Sequence, residues 1–382
     1  MRLAIINTHP IQYYAPVFKL LHQQPNISVK VFYTYGEDSA NKYDHGFNRN
    51  INWDIPLLDG YPYEFIKNTA KDAGTHTFKG IINPNLIDKV NDYRPDVILI
   101  YGWAHQSHLK AIYHFKNRIP VYFRGDSTLL DKKTGIKNFM KYLFLKWVYN
   151  HVDRALYTGT NNKAYFKKYG LNDQQLSFVP HSIDNDRFTI EKAEDAALLR
   201  HKLNIPANDI LILFAGKFES KKDPLLLLTA FLNIDKPGVH LLFVGNGVLE
   251  AQLKEKANGK ANVHFMAFQN QTHMPVVYQA ADLFCLPSKG PAETWGLVVN
   301  EAMACKKAIL VSDKVGCAID LVKPGYNGII FKAGNIDALT DALIYLTDKK
   351  LLAEMGQHSS EIIKDWSIGV QVKNIGNSLN GK

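Results

Sequence analysis

The sequence predicts an α/β chain of two Rossmann-like, doubly wound parallel-sheet domains that face each other across a cleft. Three observations carry that expectation. Short apolar runs without polar alternation recur between longer helical stretches, as suits strands covered on both faces. The runs fall into two series, separated by a charged stretch near 184–192. The length, 382 residues, makes about two domains at roughly 100–200 residues each. With 46% hydrophobic residues, each domain can fill a core, and general disorder is excluded.

The first series of strands is expected at 3–6, 29–33, 97–101, 121–123 and 154–157. The second is expected at 210–215, 240–244, 263–266, 283–286, 308–311 and 328–331. Strand alternating with helix gives parallel sheets in both halves. The domains are set at 1–190 and 191–365, with a last helix, 366–382, that crosses back to the first domain. Residues 1–7 read as a buried strand and lack the long apolar core and cleavage site of a signal peptide. No apolar run approaches the roughly 18–20 residues of a membrane span. Cys285, Cys305 and Cys317 are odd in number and lack CxxC spacing, which argues against a disulfide framework or a zinc site. A reduced, cytoplasmic setting is expected.

Charge is unevenly placed. Through position 190 there are 24 basic and 16 acidic residues, a surplus of eight, whereas the rest of the chain has 21 against 20. The asymmetry peaks where Lys132, Lys133, Lys137, Lys141, Lys146, Arg154, Lys163, Lys167 and Lys168 face only Asp153. Such a half could meet an anionic membrane surface, a nucleic acid or an acidic substrate, or could present a solvated basic face.

In open α/β sheets, ligands bind beyond the carboxyl ends of strands. Three loops there carry chemistry. After the 210–215 strand, Gly216 leads into Lys217 and Lys222, with Pro224 opening a helix. The two lysines could converge on a phosphate, or the loop could be a solvated turn. After 240–244, Gly245-Asn246-Gly247 would let backbone approach a ligand, although it also suits an ordinary tight turn. After 283–286 comes Pro287-Ser288-Lys289-Gly290-Pro291-Ala292-Glu293-Thr294-Trp295-Gly296, then a helix that contains Glu301. Glu293 and Glu301 could line one pocket at different depths, with helix N–H groups between them for a diphosphate. As an ionised carboxylate, Glu301 could accept two ribose hydroxyls.

Pro287-Ser288, Glu293-Thr294-Trp295-Gly296-Leu297 and Glu301-Ala302-Met303-Ala304-Cys305 together resemble the Glu-x7-Glu signature of glycosyltransferase family 4. These are retaining enzymes of GT-B architecture. The resemblance extends to Gly216-Lys217, Lys222, Gly245-Asn246-Gly247, Val315-Gly316, Asp320-Leu321-Val322 and Gly325-Tyr326-Asn327-Gly328. It is strong over 205–345 and weaker in the first half. It implies that Lys217 and Lys222 neutralise the donor diphosphate, that Glu293 holds donor-sugar hydroxyls, and that Glu301 binds the ribose. The Leu297 and Val298 amides would contact phosphate, and the segment bearing Phe268 would lie against the base. Gly216, Asn246, Gly247, Thr294 and Gly296 complete the implied donor side.

The chain departs from the family pattern at three places. Lys217 stands where the family usually has Arg, keeping the charge without the bidentate fork. Ala304-Cys305-Lys306-Lys307-Ala308 replaces the usual Ala-Cys-Gly-Lys-Pro. Many relatives carry a histidine at the end of the fourth N-terminal strand. Here Tyr101 holds that position, and His105, four residues on, is the candidate to occupy the same space. The loop Asn7-Thr8-His9-Pro10-Ile11-Gln12-Tyr13-Tyr14 resembles a subgroup beginning Thr-His-Pro-Ile-Gln-Tyr, which makes His9 and Gln12 acceptor-side candidates. Arg124 and Asp126, after the 121–123 strand, join them. The 136–149 segment reads as a helix whose lysines meet anionic lipid headgroups, or whose apolar residues are simply core.

The expected activity is retaining transfer of a hexose-type sugar from a nucleotide-diphospho donor, a UDP-sugar by resemblance. The acceptor would be a cell-surface glycan or a lipid-linked molecule. The setting would be cytoplasmic and peripheral on the inner face of a membrane. No acidic pair suits a metal ion, so neither a divalent metal nor another cofactor is expected, and nor is nucleic acid as a partner. A nucleotide-sugar epimerase of the same shape, or a basic nucleic-acid-binding protein, are the competing readings.

Overall fold

The computed structural model describes residues 1–37, 42–44, 49–131, 135–234 and 236–381. Among the described residues, fifteen strands are formed: β1 Arg2–Asn7, β2 Ser28–Tyr33, β3 Lys42–Asp44, β4 Arg49–Ile51, β5 Tyr63–Phe65, β6 Val97–Tyr101, β7 Val121–Arg124, β8 Arg154–Tyr157, β9 Leu176–Phe178, β10 Ile210–Ala215, β11 Val239–Val244, β12 Val263–Met266, β13 Leu283–Leu286, β14 Ala308–Ser312 and β15 Gly328–Phe331. They assemble into a seven-stranded sheet ordered β5-β2-β1-β6-β7-β8-β9, a six-stranded sheet ordered β12-β11-β10-β13-β14-β15, and a β3-β4 ladder. Both large sheets are parallel wherever their strands pair.

The chain divides into two compact units. The first holds 1–42, 51–181 and 368–382, and the second holds 43–50 and 182–367. In the first, β1 is an interior strand between β2 and β6. Its side chains alternate between two cores: Ala4 and Ile6 pack with Ile98, Ile100 and Phe123, whereas Leu3 and Ile5 pack with Phe18, Leu99 and Leu379. A period-two split of an all-apolar strand is what burial on both faces requires. The helix Ile368–Leu379 contributes Ile368, Val372, Ile375 and Leu379 to the second of these cores.

The first boundary falls after His181 rather than at 190, because the 182–190 segment packs within the second unit. Phe188 is fully buried against Tyr278, and the Gln279 side chain donates to the Phe188 and Ile190 carbonyls. The second boundary falls after Ser367, where Trp366 still packs on Trp295 at 5.1 Å. The edge strands β5 and β9 and the β3-β4 ladder lie outside the expected series. Each is three residues long, too short for a hydrophobic run to announce it.

Candidate functional site

In the second unit, four loops leave the carboxyl ends of β10, β11, β13 and β14 and fasten to one another. The β11 loop approaches the β10 loop so closely that a Cβ on Gly245 would stand 2.0 Å from the Gly216 carbonyl oxygen. Gly245 also takes φ 143°, which disfavours any other residue. Asn246 locks the approach. Its carbonyl accepts the Phe218 N–H, its Oδ1 accepts the Phe268 N–H at 2.9 Å, and its Nδ2 donates to Glu250. Asn246 thus fixes the 266–268 exit from β12, the segment expected at the base.

The β10 and β13 loops meet through buried charge. The Lys289 N–H donates to the Lys221 carbonyl at 2.8 Å. Lys222 Nζ donates to Glu293 Oε2 at 2.9 Å, and Ser288 Oγ donates to the same oxygen at 3.1 Å. The Lys222 and Glu293 side chains are only 13% and 8% exposed. The Glu293 carbonyl accepts the Gly316 N–H from the β14 loop, and Ser312 Oγ donates to the Ser288 carbonyl. Lys222 and Glu293, read from the sequence as separate contacts to diphosphate and sugar, are therefore partners of each other. Lys217 is half-buried on the same loop.

Glu301 lies inside the helix Leu297–Ala304, which follows Gly296 at φ 94°. A helical Glu is ordinarily a surface residue, but this helix also buries Val299, Asn300, Ala302 and Met303, and Glu301 is 2% exposed. Its Oε2 accepts the hydroxyl of fully buried Tyr278 at 2.7 Å. Leu297 and Val298 occupy the helix's first two positions, whose N–H groups have no intrahelical partner. Thr294, Gly296, Leu297 and Val298 are half-buried. Tyr278, which sequence reasoning missed, could be found only through its contact with Glu301. The three cysteines are buried free thiols, and burial pushes each one's pKa up.

In the first unit, the carboxyl ends of β1, β6, β7 and β9 converge on a polar cluster. Arg124, the last residue of β7, is 2% exposed and donates to the Val179 and Pro180 carbonyls at 2.9 and 3.0 Å. Asp126 is half-buried, and its charge reaches Tyr14 and His181. His181 lies 6.2 Å from the Tyr14 ring. Burial first, then Arg124, lowers its pKa to about 3, so its imidazole is neutral at neutral pH. In the sequence, His181 marked only the approach to a boundary.

His9 and Gln12 are half-buried in the loop after β1, where the Thr8 hydroxyl sits 2.9 Å from His9 Nδ1. Tyr101 is core. It packs 4.8 Å from Tyr14 and 5.6 Å from Phe18, and burial raises its pKa to about 12. His105 is half-buried at the start of the helix Gln106–Phe115, edge-on to His108 at 5.6 Å. His108, also missed, is fully buried. Its Nδ1 faces the Tyr101 and Gly102 carbonyls and its Nε2 faces Thr34 Oγ1 at 2.8 Å. Two carbonyl acceptors at Nδ1 place the proton there, leaving Nε2 to accept from Thr34. Burial lowers the His108 pKa to about 4.

Of the basic stretch, Lys132 and Lys133 lie outside the described residues. Lys163 and Lys167 both pair with Asp173 on the surface. Among the described residues, no helix is long and apolar enough to cross a membrane.

Two units of this topology, with their loops gathered at the strand ends, define a GT-B fold. Residues 195–363 match the family of glycosyl transferases group 1. A D-inositol 3-phosphate glycosyltransferase of Geodermatophilus obscurus is 31% identical over 176 residues, 42% of this chain and 38% of the relative. A GDP-mannose-dependent monoacylated alpha-(1-6)-phosphatidylinositol monomannoside mannosyltransferase of Corynebacterium glutamicum is 26% identical over 62% of this chain and 64% of the relative. The chain thus spans less than two thirds of either relative's length. The crystal structure of Anabaena HepE in complex with UDP and glucose superposes with a TM-score of 0.72 at 17% identity over all of both chains. WaaG, a glycosyltransferase involved in lipopolysaccharide biosynthesis, does so at 0.69 and 14% identity, also over all of both chains.

Proposed function

We propose that the protein is a retaining glycosyltransferase that moves a hexose-type sugar from a nucleotide-diphospho donor, a UDP-sugar, to a glycan or lipid-linked acceptor. The observation that carries this reading is the meeting of Lys222, Ser288 and Glu293 beside the start of the Leu297–Ala304 helix. It lies within the stretch that matches group 1 glycosyl transferases. UDP in the HepE structure supports the choice of base, and the lipid-like substrates named for the Corynebacterium relative support the acceptor class.

Breaking the sugar–phosphate bond leaves a diphosphate with growing negative charge. Lys217, Lys222 and the Leu297 and Val298 amides offer preorganised positive charge and donors for it. A leaving group met this way calls on no divalent ion. Glu293 can leave Lys222 to the diphosphate and accept sugar hydroxyls, while Tyr278 holds Glu301 oriented for the ribose. Gly216, Asn246, Gly247, Phe268, Thr294 and Gly296 shape the donor side. His105 is the first unit's candidate for the histidine that the resemblance implies, and His9, Gln12, Arg124 and Asp126 are its acceptor-side candidates, with Arg124 acting through the 179–180 backbone it holds. The working place in this reading is cytoplasmic, peripheral at the inner face of a membrane.

Incubation with a nucleotide-sugar panel, read by mass spectrometry and NMR of the anomeric proton, tests the reading. Sugar transfer with retained configuration, or slow donor hydrolysis releasing nucleoside diphosphate, is expected, and both should be lost in Glu293→Ala and Glu301→Ala. Epimerised nucleotide sugar, or no donor bound and no effect of Glu301→Ala, would overturn it.

A further inference from the structure

The helix Ile136–Asn150 buries Leu145, Val148 and Tyr149 and turns its opposite side outward. Along that side Ile136, Phe139, Met140, Leu143, Phe144 and Trp147 recur at three- and four-residue spacing. They form one helical stripe, 39–78% exposed. At about 100° per residue, Lys137 and Lys141 border the stripe on one flank and Lys146 on the other. All three lysines are exposed, and positions 136–150 contain no Asp or Glu. Trp147 stacks at 6.3 Å on Tyr113, itself 63% exposed, extending the apolar patch onto the neighbouring helix. A contiguous apolar surface of this kind marks an interaction site.

We infer that this stripe docks in the headgroup region of an anionic lipid bilayer, a step that rests on the transferase reading only for its purpose, access to a membrane-borne acceptor. The chemistry favours lipid over a second copy of the chain. Two-fold pairing would set like-charged flanks against each other, whereas anionic headgroups neutralise them while the apolar stripe enters the acyl boundary. Trp147 and Tyr113 are the ring types that settle at such boundaries. A helix of 15 residues cannot span the bilayer, so it lies in the plane. Lys163 and Lys167, held by Asp173 on another helix, take no part.

Flotation of the full chain with phosphatidylcholine vesicles, with and without about 30% phosphatidylglycerol, tests the inference. The protein should float with the anionic vesicles and not with the neutral ones. Lys137→Gln/Lys141→Gln/Lys146→Gln should lower partitioning about a hundredfold, at about fivefold per lysine. Met140→Gln/Leu143→Gln/Trp147→Gln should abolish binding while circular dichroism and nucleotide-sugar hydrolysis stay unchanged. No flotation of the wild type, equal flotation of the stripe variant, or a vesicle-free dimer that the stripe variant dissociates would each overturn it. Hydrolysis measured on the same samples separates the two readings. Docking without donor turnover would keep the surface and sink the transferase, and turnover without docking would do the reverse.

Discussion

Removing Lys222 alone, by Lys222→Met, should destabilise the second unit by about 3 kcal/mol, because it strands Glu293. At 2.9 Å, with an effective dielectric near 20, the two charges attract by about 6 kcal/mol. Desolvating both ions offsets that by several kcal/mol each, so the intact pair is worth little net. The asymmetry appears when one partner goes. A carboxylate that is 8% exposed would keep only the Ser288 hydroxyl, and the cost of such a break is about 3–5 kcal/mol. Spread over a unit of this size, 3 kcal/mol lowers Tm by about 6–12 °C. Glu293→Gln alone should destabilise in the same direction, and Lys222→Met/Glu293→Gln should recover much of the loss, because no buried charge is left alone. Calorimetry of the four proteins gives the coupling directly. A shift below about 2 °C for Lys222→Met, or a double variant as unstable as the sum of the singles, would refute the reasoning. All three variants should lose donor turnover, so stability and chemistry are read separately.

Three further outcomes are expected. Tyr278→Phe removes the buried hydroxyl that donates to Glu301; it should raise the donor KM while kcat falls less, a split that steady-state kinetics with Tyr278→Phe against Glu301→Ala would check. His108 has a folded-state pKa near 4, below the ordinary histidine value, so the unfolded chain takes up the proton first as pH falls. Its stabilising contribution is intact above about pH 6.5, and about 2 kcal/mol of it is gone by pH 5; urea unfolding at both pH values should show a shallower loss in His108→Gln. Lys306 sits at φ 57°, a left-handed backbone that favours glycine, so Lys306→Gly should raise stability by about 0.5–1 kcal/mol in the same unfolding assay.

The strands were legible because a buried parallel strand leaves an uninterrupted apolar run, as in Ile210–Ala215, every residue of which is buried. Segments where burial does not dictate composition were not. Tyr63–Phe65 carries Glu64, which Lys30 and Lys89 pair at the sheet edge, and no local rule separates that pattern from a loop. The helical 136–149 segment was foreseen, but which of its side chains face the core was not. Its sequence is apolar around most of the helix, and only packing decides that Leu145 and Val148 turn inward while Met140 and Trp147 turn out.

The candidate site divides along the same line. Lys222, Glu293 and Glu301 could be named from their place after strands, since the sheet delivers the loops at its strands' carboxyl ends to the same rim. What each one touches depends on chain segments far away. Lys222 meets Glu293 across 71 positions and Glu301 meets Tyr278 across 23. Tyr278 sits in an apolar helix where its hydroxyl needs a polar partner, and Glu301 sits in an apolar helix where its carboxylate has the same need. Each alone would be an expensive buried polar group, and together they satisfy each other. The same logic holds for Arg124, whose buried guanidinium is met by two carbonyls at the end of β9. The residues read from the sequence as direct ligand contacts thus include several whose first partner is the protein itself. A substitution at Lys222, Glu301 or Arg124 therefore acts on the fold of its own loop as well as on any ligand bound there, which is why the test of Lys222 rests on a stability cycle and not on lost activity alone.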